Sequence, residues 1–79
     1  MNSDIDRLCG VIAESLGIDR KLVTTATSHS ELDAWNSLGH LQILLAVETA
    51  YGIQFDTEEM PGLNSVPALA NRLGLKTAG

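Results

Sequence analysis

The chain holds 79 residues with a net charge of −5, 44 % of them hydrophobic and 19 % charged, which suits one globular domain with one small core and is too apolar for a disordered chain. Its aromatic residues are Trp35, Tyr51 and Phe55, so the core is aliphatic, and the single Cys9 excludes a disulfide framework and a cysteine-based zinc site. Between Leu22 and Asn71 there is no lysine or arginine but there are six acids (Glu31, Asp33, Glu48, Asp56, Glu58 and Glu59), a balance that argues against DNA or RNA as partner. The same acids suit partners with basic patches, or plain solubility.

The first residues, Met1 to Asp6, carry acids where a secretory signal needs a basic segment and an apolar run. No apolar run approaches the roughly 18 residues of a membrane span, and the expectation is a cytoplasmic, monomeric domain. A first helix is predicted from about Asp4 to Leu16, with Ser3 as N-cap and Gly17 as stop. Ile5, Leu8, Cys9, Ile12 and Leu16 make one stripe, so Cys9 reads as core and not as a working thiol. Gly10 costs this helix about 1 kcal/mol against alanine and suggests a close helix contact.

A long connection, Ile18 to Trp35, is rich in serine and threonine and has Leu22, Val23 and Leu32 as anchors into the core. Connections beyond about 12–15 residues usually have a functional or topological reason. His29 within it reads as solvated. The second helix is predicted over Ser37 to Tyr51, ended by Gly52. Nine of its fifteen residues are apolar and Glu48 is its only charge, although a helix in so small a bundle always shows one side to water. Ile43, Val47, Ala50 and Tyr51 form the inward set. Leu38, Leu41 and Leu45, at i, i+3 and i+7, lie on another face, which is either an interaction surface or a seat for the folded-back loop.

Ile53 and Phe55 read as a short extended piece. Thr57 to Met60 make one helical turn, cut short by Pro61 and Gly62, and the acids Asp56, Glu58 and Glu59 lack the glycine spacing of a calcium loop. A last helix runs from Val66 to Leu73, capped by Ser65 and stopped by Gly74, with Val66, Leu69, Ala70 and Leu73 inward. The sum is an all-α bundle of three main helices plus one short one, with a long loop between the first two. The whole chain, residues 1–79, is one domain and no metal site is expected.

At the head of the second helix stands Asn36-Ser37-Leu38. With the long first loop, the run Glu48-Thr49-Ala50-Tyr51-Gly52-Ile53, Phe55 two residues on, and the terminal Ser65-Val66-Pro67-Ala68-Leu69, the chain resembles the acyl carrier proteins over nearly its whole length. That family's signature is Asp-Ser-Leu at this place. The resemblance implies Ser37 as the attachment point of a covalent 4′-phosphopantetheine arm derived from coenzyme A, whose thiol carries acyl groups as thioesters. It implies a non-catalytic carrier served by a phosphopantetheinyl transferase, loaded by an acyl ligase or transacylase, and docked by acyl-processing enzymes. Asn36, Leu38, Leu41, Leu45 and Glu48 are then the recognition residues, and Ile43, Val47 and Leu69 are candidates to shelter an acyl chain.

Physical chemistry supports the position. A phosphodiester on Ser37 would meet unpaired N–H groups and the positive end of the helix dipole. Asn36 as N-cap leaves the Ser37 hydroxyl free; the alternative is Ser37 as an ordinary cap. A hydrolytic triad of Ser37, His40 and Asp33 would also need an oxyanion hole and a substrate pocket, for which the chain has little material, so His40 reads as a solvent-facing neighbour. Asn36 replaces the family's aspartate, and Gln42 and Thr49 stand where fatty-acid carriers tend to be acidic. These departures favour a polyketide-like or other specialised acyl pathway over bulk fatty-acid synthesis. The remaining alternatives are a peptidyl or aminoacyl carrier and an unmodified helical interaction module.

Overall fold

A computed structural model describes residues 4–75, so the expected Ser3 cap lies outside the described residues. Three α-helices are present: α1 (Asp4–Leu16), α2 (Ser37–Tyr51) and α3 (Val66–Arg72). Short 3-10 turns at Arg20–Leu22, His29–Glu31 and Met60–Gly62 lie between them. No strand occurs among the described residues, and the architecture is the all-α carrier-like bundle that the sequence predicts.

Helix α1 presents Ile5, Leu8, Cys9 and Ile12 to the core as its spacing requires, with Leu16 packed at the edge. Val23 and Trp35 pin the long connection, while α2 contributes Ile43, Leu44 and Val47, and α3 contributes Val66, Leu69 and Ala70. Leu44 belongs to the inward set that the apolar count of α2 left unassigned, whereas Ala50 and Tyr51 are half-buried. Leu22, expected to anchor the loop, is 55 % exposed because its 3-10 turn directs the following Val23 inward.

The close helix contact belongs to Gly39 and not to Gly10. A Cβ on Gly10 would meet nothing within 4 Å, whereas one on Gly39 would stand 2.0 Å from the Ala34 carbonyl oxygen and 2.9 Å from Leu16 Cδ2. The absence of a side chain there lets the end of the loop press onto the first turn of α2.

Both ends of α2 are held. Gly52 adopts φ 65° and its N–H returns to the Glu48 carbonyl, with the Ile53 N–H on the same oxygen. Arg7 of α1 donates to the Ala50 carbonyl at 3.1 Å and lies 4.7 Å over the Tyr51 ring, placing a cation at the negative end of the helix. The segment after α2 differs from the expected turn over Thr57 to Met60. The Glu59 carboxylate accepts the Asp56 N–H and its own N–H bonds the Asp56 carbonyl, closing a non-helical turn. The 3-10 turn then begins at Met60 and includes Pro61, whose missing N–H is unneeded in a first turn.

The long loop closes onto α3 through a two-bond clasp. His29 N–H donates to the Asn64 carbonyl at 2.9 Å and Val66 N–H to the Thr27 carbonyl at 2.8 Å, forming an antiparallel bridge between Ser28 and Ser65. Buried Thr27 is satisfied as well, its hydroxyl accepting the Thr24 N–H at 2.8 Å. Helix α3 starts under the Ser65 hydroxyl, which accepts the Ala68 N–H, and ends at Arg72, with Leu73 as C-cap.

Candidate functional site

The site is built from the end of the long loop, the first turn of α2 and the Met60–Gly62 turn. Asn36 is the N-cap: its side-chain oxygen accepts the Gly39 N–H at 2.9 Å and its carbonyl accepts the His40 N–H at 2.7 Å. Capping by Asn36 releases the next residue, so Ser37 is exposed at the first helical position and its hydroxyl makes no hydrogen bond among the described residues.

The other described serines are engaged. Ser15 donates to the Ile12 carbonyl, Ser28 and Ser30 bond each other at 2.9 Å, and Ser65 caps α3. Ser37 is thus the described serine with an exposed and uncommitted hydroxyl.

His40 is half-buried and not solvent-facing, which corrects the sequence expectation. The Trp35 indole N–H donates to His40 Nδ1 at 3.0 Å, and the rings stack with centroids 6.3 Å apart. An indole N–H can only donate, so Nδ1 is the unprotonated nitrogen and Nε2 carries the proton. That Nε2–H donates to the Met60 carbonyl at 2.8 Å. With both ring nitrogens committed, His40 has no lone pair for a Ser37 proton, and the arrangement is structural rather than that of a hydrolase. It ties the loop, α2 and the Met60–Gly62 turn together around the serine.

Leu38, Leu41 and Leu45 lie along the outer face of α2 at 66 %, 48 % and 53 % exposure, while Leu44 between them is 1 % exposed. The loop does not fold back over them. They span about two turns of helix, about 10 Å. Glu48, one turn further, is half-buried, and its Oε2 accepts the Phe55 N–H at 2.7 Å, so it also fastens the segment that follows α2.

Beside Ser37 opens a cleft of about 280 Å³ lined by His29, Trp35, Asn36, Ser37, His40, Pro61 and Asn64. Of these, His29, Trp35, Pro61 and Asn64 were not assigned a site role from sequence, because their meeting depends on the clasp and on the Trp35–His40 bond. Burial pushes the Cys9 thiol up, disfavouring the thiolate, and its place under α1 removes it from the site. Among the described residues no group of His, Cys, Asp and Glu side chains is gathered to hold a metal ion, and no helix is long and apolar enough to cross a membrane.

Among the described residues, Ser37 is thus an uncommitted serine at the head of a capped helix, with no base placed to activate it and an apolar stripe beside it, an arrangement suited to a carrier rather than a hydrolase. Comparison with known proteins agrees. Residues 6–73 match the family described as "Phosphopantetheine attachment site". The chain is 43 % identical over 56 residues to the acyl carrier protein of Streptococcus pyogenes serotype M1, covering 71 % of this chain and 72 % of the relative. It is 40 % identical over 67 residues to that of Streptococcus thermophilus (strain CNRZ 1066), covering 85 % and 86 %. The chain belongs to the acyl carrier protein family, whose members are non-catalytic and carry covalently attached 4′-phosphopantetheine. Such a carrier interacts with a phosphopantetheinyl transferase and with acyl-processing enzymes.

Proposed function

We propose that residues 1–79 form one cytoplasmic carrier domain, active as a monomer, in which Ser37 holds the 4′-phosphopantetheine arm and shuttles acyl groups between enzymes. The observation that carries the assignment is the division of labour between Asn36, which caps α2, and Ser37, which is left exposed and unbonded. When bound, the arm supplies a thiol that holds acyl groups as thioesters. What the chain supplies is position: unpaired N–H groups of the first turn and the helix dipole favour a phosphodiester on Ser37. The Trp35–His40–Met60 relay holds that turn in place.

Partner enzymes, including the transferase and an acyl ligase or transacylase, read Asn36 and the stripe Leu38, Leu41 and Leu45, with Glu48 at its end. The patch is small and mostly apolar, which suits the brief docking a shuttle needs. Its sparse charge supports a specialised or polyketide-like acyl pathway over bulk fatty-acid synthesis, since Gln42 and Thr49 are neutral. The assignment is tested by labelling with a promiscuous phosphopantetheinyl transferase and coenzyme A. Ser37→Ala should abolish the adduct in intact mass while leaving the helical circular dichroism unchanged; an adduct persisting on Ser28, Ser30 or Ser65 overturns it. A wild-type protein from its native host that never carries the adduct would favour an unmodified interaction module, and aminoacyl cargo a peptidyl carrier.

A further inference from the structure

The cleft beside Ser37 has walls whose chemistry the carrier reading does not use. We infer that it is the seat in which the prosthetic arm rests when no partner enzyme holds it, an inference that rests on Ser37 as the attachment point. Ser37 itself lines the cleft, so a group on its Oγ is delivered to these walls at high effective concentration and needs little intrinsic affinity to stay there.

The walls match the arm segment by segment. His29 brings the imidazole whose Nδ1–H faces the Asn64 carbonyl at 3.3 Å, leaving Nε2 outward toward solvent or ligand. With both His40 nitrogens committed, His29 is the cleft's one imidazole with a ring nitrogen left for the arm: with the proton on Nδ1, its Nε2 can accept an amide N–H or hydroxyl, while the side-chain amides of Asn36 and Asn64 are the donors. The side-chain amide of Asn64 complements an amide of the arm, and the rings of His40 and Pro61, over the buried Trp35, give apolar surface for its methyl groups. At about 280 Å³ the cleft falls just below the ~300–1,000 Å³ of sites for drug-sized ligands, a size that suits a slim chain. Its walls are fixed in advance by the clasp and by the Trp35–His40–Met60 relay, so little ordering is needed on binding.

The test compares apo and enzymatically converted holo protein by intact mass and by nuclear magnetic resonance. Trp35 is the only tryptophan, so its indole N–H resonance is unambiguous and reports directly on the cleft wall. Holo formation should shift the Trp35 indole, the His29 ring and the Asn64 side-chain amide. In His29→Ala, where an exposed side chain is removed and the backbone clasp is kept, the adduct should form completely while the shift at the Asn64 amide falls by at least half. An adduct on Ser37 with shifts confined to Asn36 and Leu38, or shifts at Asn64 that His29→Ala leaves unchanged, overturns the seat and spares the attachment site. No adduct, or an adduct on another hydroxyl, overturns both.

Discussion

Gly39→Ala is the most revealing single change in this fold, because two ordinary effects oppose each other there. In an open helix position the substitution stabilises by about 1 kcal/mol, since glycine is the poorer helix former. Here the new Cβ would stand 2.0 Å from the backbone oxygen of Ala34, where real contacts do not fall below 3.0 Å, so the loop must retreat by about 1 Å. That movement carries Trp35, whose N–H bonds the Leu32 carbonyl, and Asn36, whose side chain caps Gly39 itself. Overpacking of this kind costs about 1–3 kcal/mol, and a weakened cap adds about 1 kcal/mol. Set against the propensity gain, the net loss should be about 1–3 kcal/mol, or roughly 4–24 °C in Tm for a domain of this size. Gly10→Ala, with nothing within 4 Å of its new Cβ, is the internal control and should gain about 0.5–1 kcal/mol. Urea titrations followed by circular dichroism, compared at constant slope, read both signs. A Gly39→Ala protein as stable as the parent would refute the close approach of the loop, and with it the account of how Ser37 is presented.

Other outcomes follow from the same structure. Leu44→Ala should cost about 2–5 kcal/mol by the same titration, and Leu41→Ala and Leu45→Ala about 1 kcal/mol or less while slowing transfer to a cognate enzyme; the reverse order of stabilities would mean that the faces of α2 are misassigned. Asn36→Ala should lose about 1 kcal/mol of cap energy. Asn36→Asp should keep the fold, gain at most about 1 kcal/mol from the dipole, and be modified faster by a general transferase in a side-by-side time course. His40→Ala leaves the Trp35 indole N–H and the Met60 carbonyl without their partner, at about 1–3 kcal/mol for each group that stays dry, and should alter tryptophan emission. Last, the Arg72 guanidinium, 2.6 Å from Glu59, holds that carboxyl below its ordinary range, so the ion pair contributes above that range and is lost as the pH falls through the lowered value. The difference in urea midpoint between the parent and Glu59→Gln should therefore shrink on acidification.

Features set by neighbours in sequence were legible in advance. The bounds of α2 follow from Asn36 before it and Gly52 after it, and the leucine stripe follows from the helical period, so the structure reproduces all three. The Ser65 cap and the stripe of α1 belong to the same category. What the sequence concealed depends on segments far apart along the chain. His40 looked solvated because its partner Met60 is twenty residues away, and the bond from Phe55 to Glu48, read from sequence only as a recognition residue, forms only after the chain has turned at Gly52. Of the two helical glycines, the residue types alone could not say which was crowded, since the crowding atom belongs to Ala34 of the loop. Trp35, a lone indole directly before the cap, was the hint that a polar acceptor had to lie nearby.

The clasp between the long loop and the start of α3 sets an order of assembly. The α1–α2 pair can form across one intervening loop, whereas the bonds from Thr27 to Val66 and from His29 to Asn64 join residues nearly forty positions apart. Closing a loop of that length costs about 3 kcal/mol of chain entropy, which two peripheral hydrogen bonds recover only once the helices already hold the ends together. The clasp should accordingly form last during folding and open first during fluctuation, with the amides of His29 and Val66 exchanging with solvent ahead of those in the middle of α2. His29 and Asn64 of the clasp also wall the cleft beside Ser37, so a local opening there would widen the cleft while leaving the helical core intact.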